Sequence, residues 1–179
     1  MERSFIPVSI AILTISDTRR IEDDKSGDLL KSKVLESGHN LYDRKIVKDE
    51  IFEIQEITRK WTKNSEVEVI ISTGGTGLTG RDVSPEAFRE IFDKEIEGFG
   101  ELFRYLSFKK IGTSTIQSRA LAGVSNGTYI FVLPGSPSAC RDAWNDILSH
   151  QLDFRHKPCN FVEIMPRLLK INRGRTGKK

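Results

Sequence analysis

Apolar runs alternate along the chain with amphipathic segments, and this alternation is the strongest structural signal in the sequence. Four short segments predict strands, and the first, Val8–Ile15, is β-branched and continuously apolar, as is typical of a strand that is buried on both faces of a parallel sheet. The predicted strands are Val8–Ile15, Leu41–Val47, Val67–Ser72 and Gly127–Leu133.

The intervals between these strands carry helical signals. Apolar residues recur at the spacing of one helix face, acidic residues open the first segment, and Gly38 is placed to end it. The triplet Ser84-Pro85-Glu86 predicts a helix start, with Ser84 as the cap and Pro85 in the first helical position. The predicted helices are Asp23–Gly38, Ile51–Trp61, one from Ser84, Phe99–Phe108 and one from Ser136-Pro137.

Strands that alternate with helices predict parallel βαβ units. The predicted fold class is therefore α/β, a three-layer α/β/α sandwich around a central, mostly parallel sheet. With 179 residues and 20.3 kDa, the chain has room for one compact domain, which we expect to span residues 1–170. Residues 171–179 are basic and are predicted to form a disordered tail.

Composition and charge argue against several classes of protein. The 28 Lys and Arg exceed the 25 Asp and Glu by three, and the excess lies in residues 167–179, so we expect no nucleic-acid partner. Cys140 and Cys159 fit neither a disulfide framework nor a metal site, which indicates a reducing compartment. The apolar start, Phe5–Ile15, is shorter than the roughly 20 residues of a membrane span. We therefore expect a cytoplasmic protein without a membrane partner.

Four segments that follow the predicted strands hold the candidate chemistry, because ligands bind at the carboxyl ends of the strands in open α/β sheets. Glycines let the backbone approach a ligand closely, and exposed amides next to a helix start attract phosphate. The glycine-rich segment lacks the lysine of a Walker A loop and the spacing of a dinucleotide fingerprint. The four segments are Ser16-Asp17-Thr18, Asp49-Glu50, Thr73-Gly74-Gly75-Thr76-Gly77 and Pro134-Gly135-Ser136-Pro137.

Each candidate also has an explanation that involves no ligand. The glycine-rich segment is consistent with a tight turn alone. Arg81 could meet a phosphate and Asp82 could hold Mg²⁺, or Asp82 could cap the helix that follows. Asp49 could share one cation with Asp82, or it could satisfy the free amides of the next helix. Ser107 and Arg119 could serve a site or lie on the surface.

Taken in order, several motifs resemble one family, the molybdenum cofactor biosynthesis proteins represented by MoaB and MogA and by the related domain of gephyrin. Together the matching stretches cover most of residues 5–165, and the later ones are more similar to the MoaB branch. The stretches are AILTISDTR at 11–19, DDKSG at 23–27, VKDE at 47–50, STGGTGLTGRDVSPEA at 72–87, EGFGELFRYLSFKKIGTSTIQSRALAG at 97–123, VLPGSPSACRDAW at 132–144 and HKPCNF at 156–161.

The resemblance implies an activity and a set of residues. Active members of the family adenylylate molybdopterin with ATP and Mg²⁺, and they release pyrophosphate. Asp49 and Asp82 match the positions that are catalytic and hold the metal. The residues implied to bind molybdopterin and its phosphate are Ser72, Thr73, Gly74, Gly75, Thr76, Gly77, Arg81 and Ser107. The residues implied to bind the nucleotide are Ser16, Asp17, Pro134, Gly135, Ser136 and Pro137.

The resemblance also implies a homo-oligomer, either a trimer or a hexamer, with other proteins of the pathway as candidate partners. Some members of the MoaB branch lack adenylyltransferase activity, so a protein that binds molybdopterin without using ATP is the alternative. Asp49, Asp82 and Ser107 are all present in this chain, which favours the enzyme. A third hypothesis, which needs no family, is an α/β enzyme that acts on another phosphorylated substrate.

Overall fold

The structure is a computed structural model that describes residues 3–168. The tail predicted at 171–179 lies outside these residues. The strands are β1 (Ser9–Ile15), β2 (Asn40–Val47), β3 (Val69–Thr73), β4 (Lys94–Glu95), β5 (Leu121–Ser125) and β6 (Thr128–Leu133). The helices are α1 (Lys25–Glu36), α2 (Ile51–Thr62), α3 (Ser84–Arg89), α4 (Glu97–Ile111), α5 (Pro137–Ala143), α6 (Ser149–Gln151) and α7 (Phe161–Leu168). Shorter 3₁₀ and π turns occupy Ile21–Asp23, Gly112–Gln117 and Trp144–Leu148.

The six strands form one mixed sheet in the order β2-β1-β3-β6-β5-β4. Strands β2, β1, β3 and β6 are parallel to one another, and they are the four strands that the sequence predicts. Strands β5 and β4 extend the sheet antiparallel at one edge. The predicted fold class, a three-layer sandwich around a mostly parallel sheet, is therefore confirmed, and the antiparallel edge is an addition to it.

The antiparallel edge has a local cause in the hairpin between β5 and β6. Asn126 and Gly127 join the two strands, and both have positive φ values, of 48° and 83°. Such an Asn-Gly pair is a strong hairpin signal because its backbone twist matches that of the flanking strands. Gly123 lies inside β5, where a Cβ would come within 2.4 Å of the Phe92 ring. Glycine at this position therefore allows Phe92 to pack closely against β5. The same glycine interrupts the apolar pattern by which a strand is predicted from the sequence.

Two hydrophobic cores lie on opposite faces of the sheet. One packs β-strand side chains against α1, α4, α5 and α7, and the other packs the opposite face against α2 and α3. Trp144 belongs to the first core and Trp61 to the second, and both are almost fully buried. No helix among residues 3–168 is long and apolar enough to cross a membrane.

The start of α3 differs from its prediction. Val83 precedes the helix, Ser84 is its first residue, and the Ser84 side chain does not cap it. The Ser84 hydroxyl instead donates a hydrogen bond to the carbonyl oxygen of Gly74, at 2.8 Å. The predicted cap was wrong because this buried carbonyl needs a donor, and tertiary contact outweighs the local capping preference. Pro85 is consequently second in the helix rather than first.

A buried ion pair joins β1, α1 and β2. Asp24 is fully buried and caps α1, accepting hydrogen bonds from the Gly27 amide at 3.0 Å and the Thr14 hydroxyl at 2.6 Å. The Arg44 guanidinium donates to the Asp24 carboxylate at 2.8 Å and also pairs with the exposed Asp28. Burial by itself would raise the pKa of Asp24, but the hydrogen bonds from Thr14, Gly27 and Arg44 hold it below its ordinary value.

We expect Asp24→Ala to destabilise the protein by about 3–5 kcal/mol, because it leaves the Arg44 guanidinium without its buried partner. Asp28→Ala is the matched control, because it removes the other carboxylate that pairs with Arg44. The Asp28 side chain is 60% exposed, so its loss should lower the free energy of unfolding by less than about 1 kcal/mol. Urea denaturation of both variants measures the difference. Equal losses would show that the buried pair has no special part in stability.

Candidate functional site

The carboxyl ends of the four parallel strands meet at one edge of the sheet. The Asp49 amide, after β2, donates to the Asp17 carboxylate, after β1, at 3.1 Å. The Gly74 amide, after β3, donates to the carbonyl oxygen of Leu133, at the end of β6, at 3.1 Å. The structure therefore brings together the four segments that the sequence analysis singled out.

Residues Gly74–Gly77 form a glycine turn in which the first two positions require glycine. Gly74 and Gly75 have φ values of +103° and +63°, a region that other residues adopt at a cost in strain. A Cβ on Gly74 would lie 2.2 Å from the carbonyl oxygen of Ile15. A Cβ on Gly75 would lie 2.2 Å from the Ser84 hydroxyl oxygen and 2.7 Å from a carboxylate oxygen of Asp49. The glycine turn thus packs directly against a candidate catalytic carboxylate.

Two residues implied to bind phosphate precede the glycine turn and are fully buried in β3. The Thr73 hydroxyl donates to the carbonyl oxygen of Pro134 at 2.9 Å and lies 3.1 Å from the Cys140 sulfur. The Ser72 hydroxyl is buried and has no hydrogen-bond partner in the described part of the chain. The Thr73 side chain therefore connects β3 to the residues that follow β6, and neither Ser72 nor Thr73 lines the two cavities described below.

Asp49 lies behind the glycine turn and is only 8% exposed. Its carboxylate accepts a hydrogen bond from the Val83 amide at 3.1 Å, and it makes no cap on α2. Burial raises the pKa of Asp49 above its ordinary value, and the negative charges of Asp82 and Asp17 raise it further against the opposing Val83 hydrogen bond. A cation next to this carboxylate would therefore stabilise its ionised form.

Asp82 lies at the end of the loop that leaves the glycine turn. Its carboxylate accepts hydrogen bonds from both the amide and the hydroxyl of Thr79, and the hydroxyl is the largest cause of a lowered pKa. A Cβ on Gly77 would lie 2.6 Å from an Asp82 carboxylate oxygen. Asp82 therefore stays ionised and closes its own loop, and its carboxylate makes no cap on α3.

Asp49 and Asp82 lie against two positions of the glycine turn, Gly75 and Gly77. No group of three or more His, Cys, Asp or Glu side chains within residues 3–168 is arranged to hold a metal ion. Mg²⁺ commonly binds through one or two carboxylates and completes its octahedron with water and substrate phosphates. An ion of that kind would need from the protein no more than the two carboxylates of Asp49 and Asp82.

Arg81, implied to bind phosphate, is bound to carboxylates in this structure. Its guanidinium donates to both oxygens of Asp17, at 3.0 and 2.9 Å, and to Glu50 at 2.9 Å. These hydrogen bonds raise the pKa of Arg81 and lower that of Asp17. The side chain is 58% exposed, so it spans the outer side of the site rather than its floor.

A cavity of about 360 Å³ opens on the other side of the glycine turn. It is lined by Thr76 and Gly77, by Ser107 of α4, and by Pro134-Gly135-Ser136. The remaining walls combine apolar and polar side chains, namely Phe103, Ile111, Ala139, Ser114, Gln117 and Ser118. The structure therefore places Ser107 beside the two glycine-containing segments. The residues from the 112–117 turn were not anticipated from the sequence.

A second cavity, of about 430 Å³, holds the residues that follow β1. Ser16 and Asp17 line it together with three cationic side chains, Arg19, Arg20 and Lys48. The Arg19 guanidinium donates to the carbonyl oxygen of Gly135 at 3.2 Å, so Gly135 connects the two cavities. The residues implied to bind the nucleotide are consequently divided between them, and Pro137, the first residue of α5, lines neither.

Gly75→Ala tests the steric requirement of the glycine turn. The positive φ alone costs about 1–3 kcal/mol, and the added methyl group collides with Ser84 and Asp49, which are both buried. Gly80→Ala is the matched control, because a Cβ there meets no atom within 4 Å. We expect urea denaturation to show a loss of stability only for Gly75→Ala, and equal stability of the two variants would contradict the described packing.

Asp49→Asn tests the electrostatic strain at the buried carboxylate. Because the folded state raises the pKa of Asp49, ionisation weakens the fold as pH rises through that value. The variant has no such loss, so its melting temperature should exceed that of the natural protein at neutral pH and converge with it near about pH 4. Mg²⁺ should narrow the difference at neutral pH. A variant that is less stable at every pH would contradict this assignment.

The chain is similar in sequence to a family of known proteins. The family described as "Probable molybdopterin binding domain" matches residues 11–153. Molybdenum cofactor biosynthesis protein B of Escherichia coli strain K12 is 54% identical over 157 residues, which cover 88% of this chain and 92% of that protein. The protein of the same name from Staphylococcus epidermidis is 44% identical over 150 residues, covering 82% and 85%.

Solved structures extend the likeness to the whole fold. A crystal structure of molybdenum cofactor biosynthesis protein B superposes with a TM-score of 0.84 at 38% identity, covering 94% of this chain and 99% of that one. The tungsten cofactor synthesizing protein MoaB from Pyrococcus furiosus has a TM-score of 0.75 at 31% identity, covering 91% and 98%. On the extent of these matches, the chain belongs to the MoaB/MogA family of molybdenum cofactor biosynthesis proteins.

Proposed function

We propose that this protein is a molybdopterin adenylyltransferase that uses ATP and Mg²⁺. The observation that carries the proposal is that Asp49 and Asp82 both lie against the glycine turn. Gly135 separates two cavities next to this turn, the cavity lined by Ser107, which is of mixed polarity, and the cavity lined by Arg19, which is basic. Family membership and the names of the relatives support molybdopterin as the substrate.

In the proposed reaction, an oxygen of the terminal phosphate of molybdopterin forms a bond to the α-phosphorus of ATP. The bond between that phosphorus and the α,β-bridging oxygen breaks, and the electron pair leaves with pyrophosphate. Transfers of this kind depend on positioning and charge neutralisation far more than on covalent catalysis by the protein. The expected parts are therefore backbone amides, cations and carboxylates that hold a metal ion.

The two cavities are lined by different chemical groups, and each set of groups suits one of the two substrates. The cavity lined by Ser107 offers apolar walls and hydroxyl groups to a pterin, and the amides of the glycine turn are next to it. In the other cavity, the three cations Arg19, Arg20 and Lys48 outnumber the two lining carboxylates, so it offers a net positive charge to a triphosphate; those carboxylates are Asp17 and Glu53. Asp49 and Asp82 would hold Mg²⁺ where the phosphates meet, and the ion would neutralise charge on them during transfer.

One observation weighs against phosphate binding by Arg81, both in the adenylyltransferase and in the alternative, a protein that binds molybdopterin without using ATP. The Arg81 guanidinium already pairs with Asp17 and Glu50, so it reaches a phosphate only by giving up those hydrogen bonds. The pairs are exposed, and exposed ion pairs contribute at most about 1 kcal/mol. A bound phosphate can therefore compete for Arg81, and the adenylyltransferase is the proposal that we retain.

Pyrophosphate release from ATP, with Mg²⁺ and purified molybdopterin, tests the proposal. We expect release that requires molybdopterin and that falls on the order of 100-fold in Asp82→Asn, because charge stabilisation of the transferred phosphate is lost. Asp43→Asn is the matched control, since Asp43 lies in β2 and its carboxylate contacts the neighbouring Arg44 amide, at 2.8 Å, and Lys45, at 3.9 Å. Its activity should equal that of the natural protein.

Two results would overturn the proposal. Full activity in Asp82→Asn would remove this carboxylate from the mechanism. Tight molybdopterin binding by the natural protein, without any pyrophosphate release, would identify it as a binding protein of the same pathway.

A further inference from the structure

The loop from Thr76 to Asp82, here called the Asp82 loop, has no regular secondary structure. Its internal contacts are short-range: the Asp82 amide donates to the Thr79 carbonyl oxygen at 3.1 Å, and the Asp82 carboxylate binds the same residue. These contacts shape the loop but do not fix it relative to the sheet. Its middle is exposed, with Leu78 at 70%. Contacts from other elements must therefore hold its position.

Arg119 contacts both ends of this loop. Its Nε donates to the carbonyl oxygen of Thr76 at 3.2 Å, and its Nη2 donates to the carbonyl oxygen of Asp82 at 2.8 Å. The remaining nitrogen, Nη1, pairs with the Glu86 carboxylate. A guanidinium presents five N–H donors in a rigid planar fork, whereas a lysine presents three donors from one point. Arginine can therefore hold the two carbonyl groups at a fixed separation.

The position of Arg119 in the chain connects the loop to the cavity lined by Ser107. The preceding residues Ser114, Gln117 and Ser118 line that cavity, opposite Thr76 and Gly77. The following residues enter β5 and are buried. Arg119 thus stands between a cavity wall and the sheet, and its guanidinium reaches from there to Asp82. The Arg119 side chain is 25% exposed, which partly shields its hydrogen bonds from water.

We propose that Arg119 is a positioning residue that fixes Asp82, and the end of the glycine turn, relative to the cavity lined by Ser107. The inference rests on the proposed function, because the group that it positions is a proposed catalytic carboxylate. The hydrogen bonds of Arg119 go to two backbone carbonyl groups and to Glu86. Displacement of a catalytic group by about 1 Å can lower the rate on the order of 100-fold. Loss of Arg119 should therefore reduce kcat for pyrophosphate release and leave the KM for molybdopterin nearly unchanged.

Two control variants separate this role from general stability and from the ion pair. Arg104 is half-buried like Arg119 and donates to a backbone carbonyl, that of Ala120, at 3.0 Å, but it does not contact the Asp82 loop. Arg104→Ala therefore removes a similar hydrogen bond at a similar depth. Glu86→Gln removes the charge that pairs with Arg119 and leaves both carbonyl contacts in place. Both controls should retain the natural kcat.

The experiment combines steady-state kinetics with amide hydrogen exchange on the full chain. Exchange over residues 76–82 should accelerate in Arg119→Ala and stay at the natural rate in Arg104→Ala. The kcat of Arg119→Ala should fall about 100-fold, and Arg119→Lys should recover only part of it. Added guanidinium ions should restore part of the activity of Arg119→Ala and none of that of Asp82→Asn.

Unchanged exchange over residues 76–82 in Arg119→Ala would overturn the inference, as would an equal loss of kcat in Arg104→Ala. The exchange measurement requires no turnover. If the natural protein releases no pyrophosphate, the proposed function fails, and the exchange rates still decide whether Arg119 holds the Asp82 loop.

Discussion

The site depends on the close packing of a glycine turn against the ends of three strands. Gly74 lies so near the end of β1 that a side chain there would overlap the carbonyl oxygen of Ile15. Gly75 lies close to both Asp49 and Ser84. The Ser84 hydroxyl donates a hydrogen bond to the Gly74 carbonyl oxygen. This packing holds the buried Asp49 carboxylate against the backbone of the glycine turn, which a ligand can approach closely because it carries no side chains at Gly74 and Gly75. The raised pKa of Asp49 is a consequence of the same packing.

The two aspartates reach this turn by different physical routes. Asp49 follows a buried strand and is held by the fold, with its carboxylate bound to the Val83 amide. Asp82 belongs to an irregular loop and is held by Thr79 and, through its carbonyl group, by Arg119. The Asp49 carboxylate is thus buried with a raised pKa, while the Asp82 carboxylate has a lowered pKa and depends on loop contacts. A cation shared between them would relieve the first and order the second.

Sequence patterns predicted the four parallel strands because β1, β3 and β6 are apolar and rich in β-branched residues, and because helical patterns separate the four strands along the chain. They missed β5, in which Gly123 interrupts the apolar pattern, although the Asn126-Gly127 pair offered a hairpin signal. The site residues were found through glycine-rich motifs and family resemblance. Arg119 was noted without a role, because its partners are backbone carbonyl groups more than 30 positions away, which no local pattern encodes. The trimer or hexamer stays a prediction from the resemblance.

The central claim is that Asp49, Asp82 and the glycine turn form one site for a cation and phosphate groups. A crystal structure of the protein with molybdopterin, Mn²⁺ in place of Mg²⁺ and α,β-methylene ATP, which cannot release pyrophosphate, tests it most directly. The account predicts anomalous density for a cation in contact with both carboxylates, and phosphate oxygens on the amides of the glycine turn. A cation and nucleotide bound without either aspartate would contradict it.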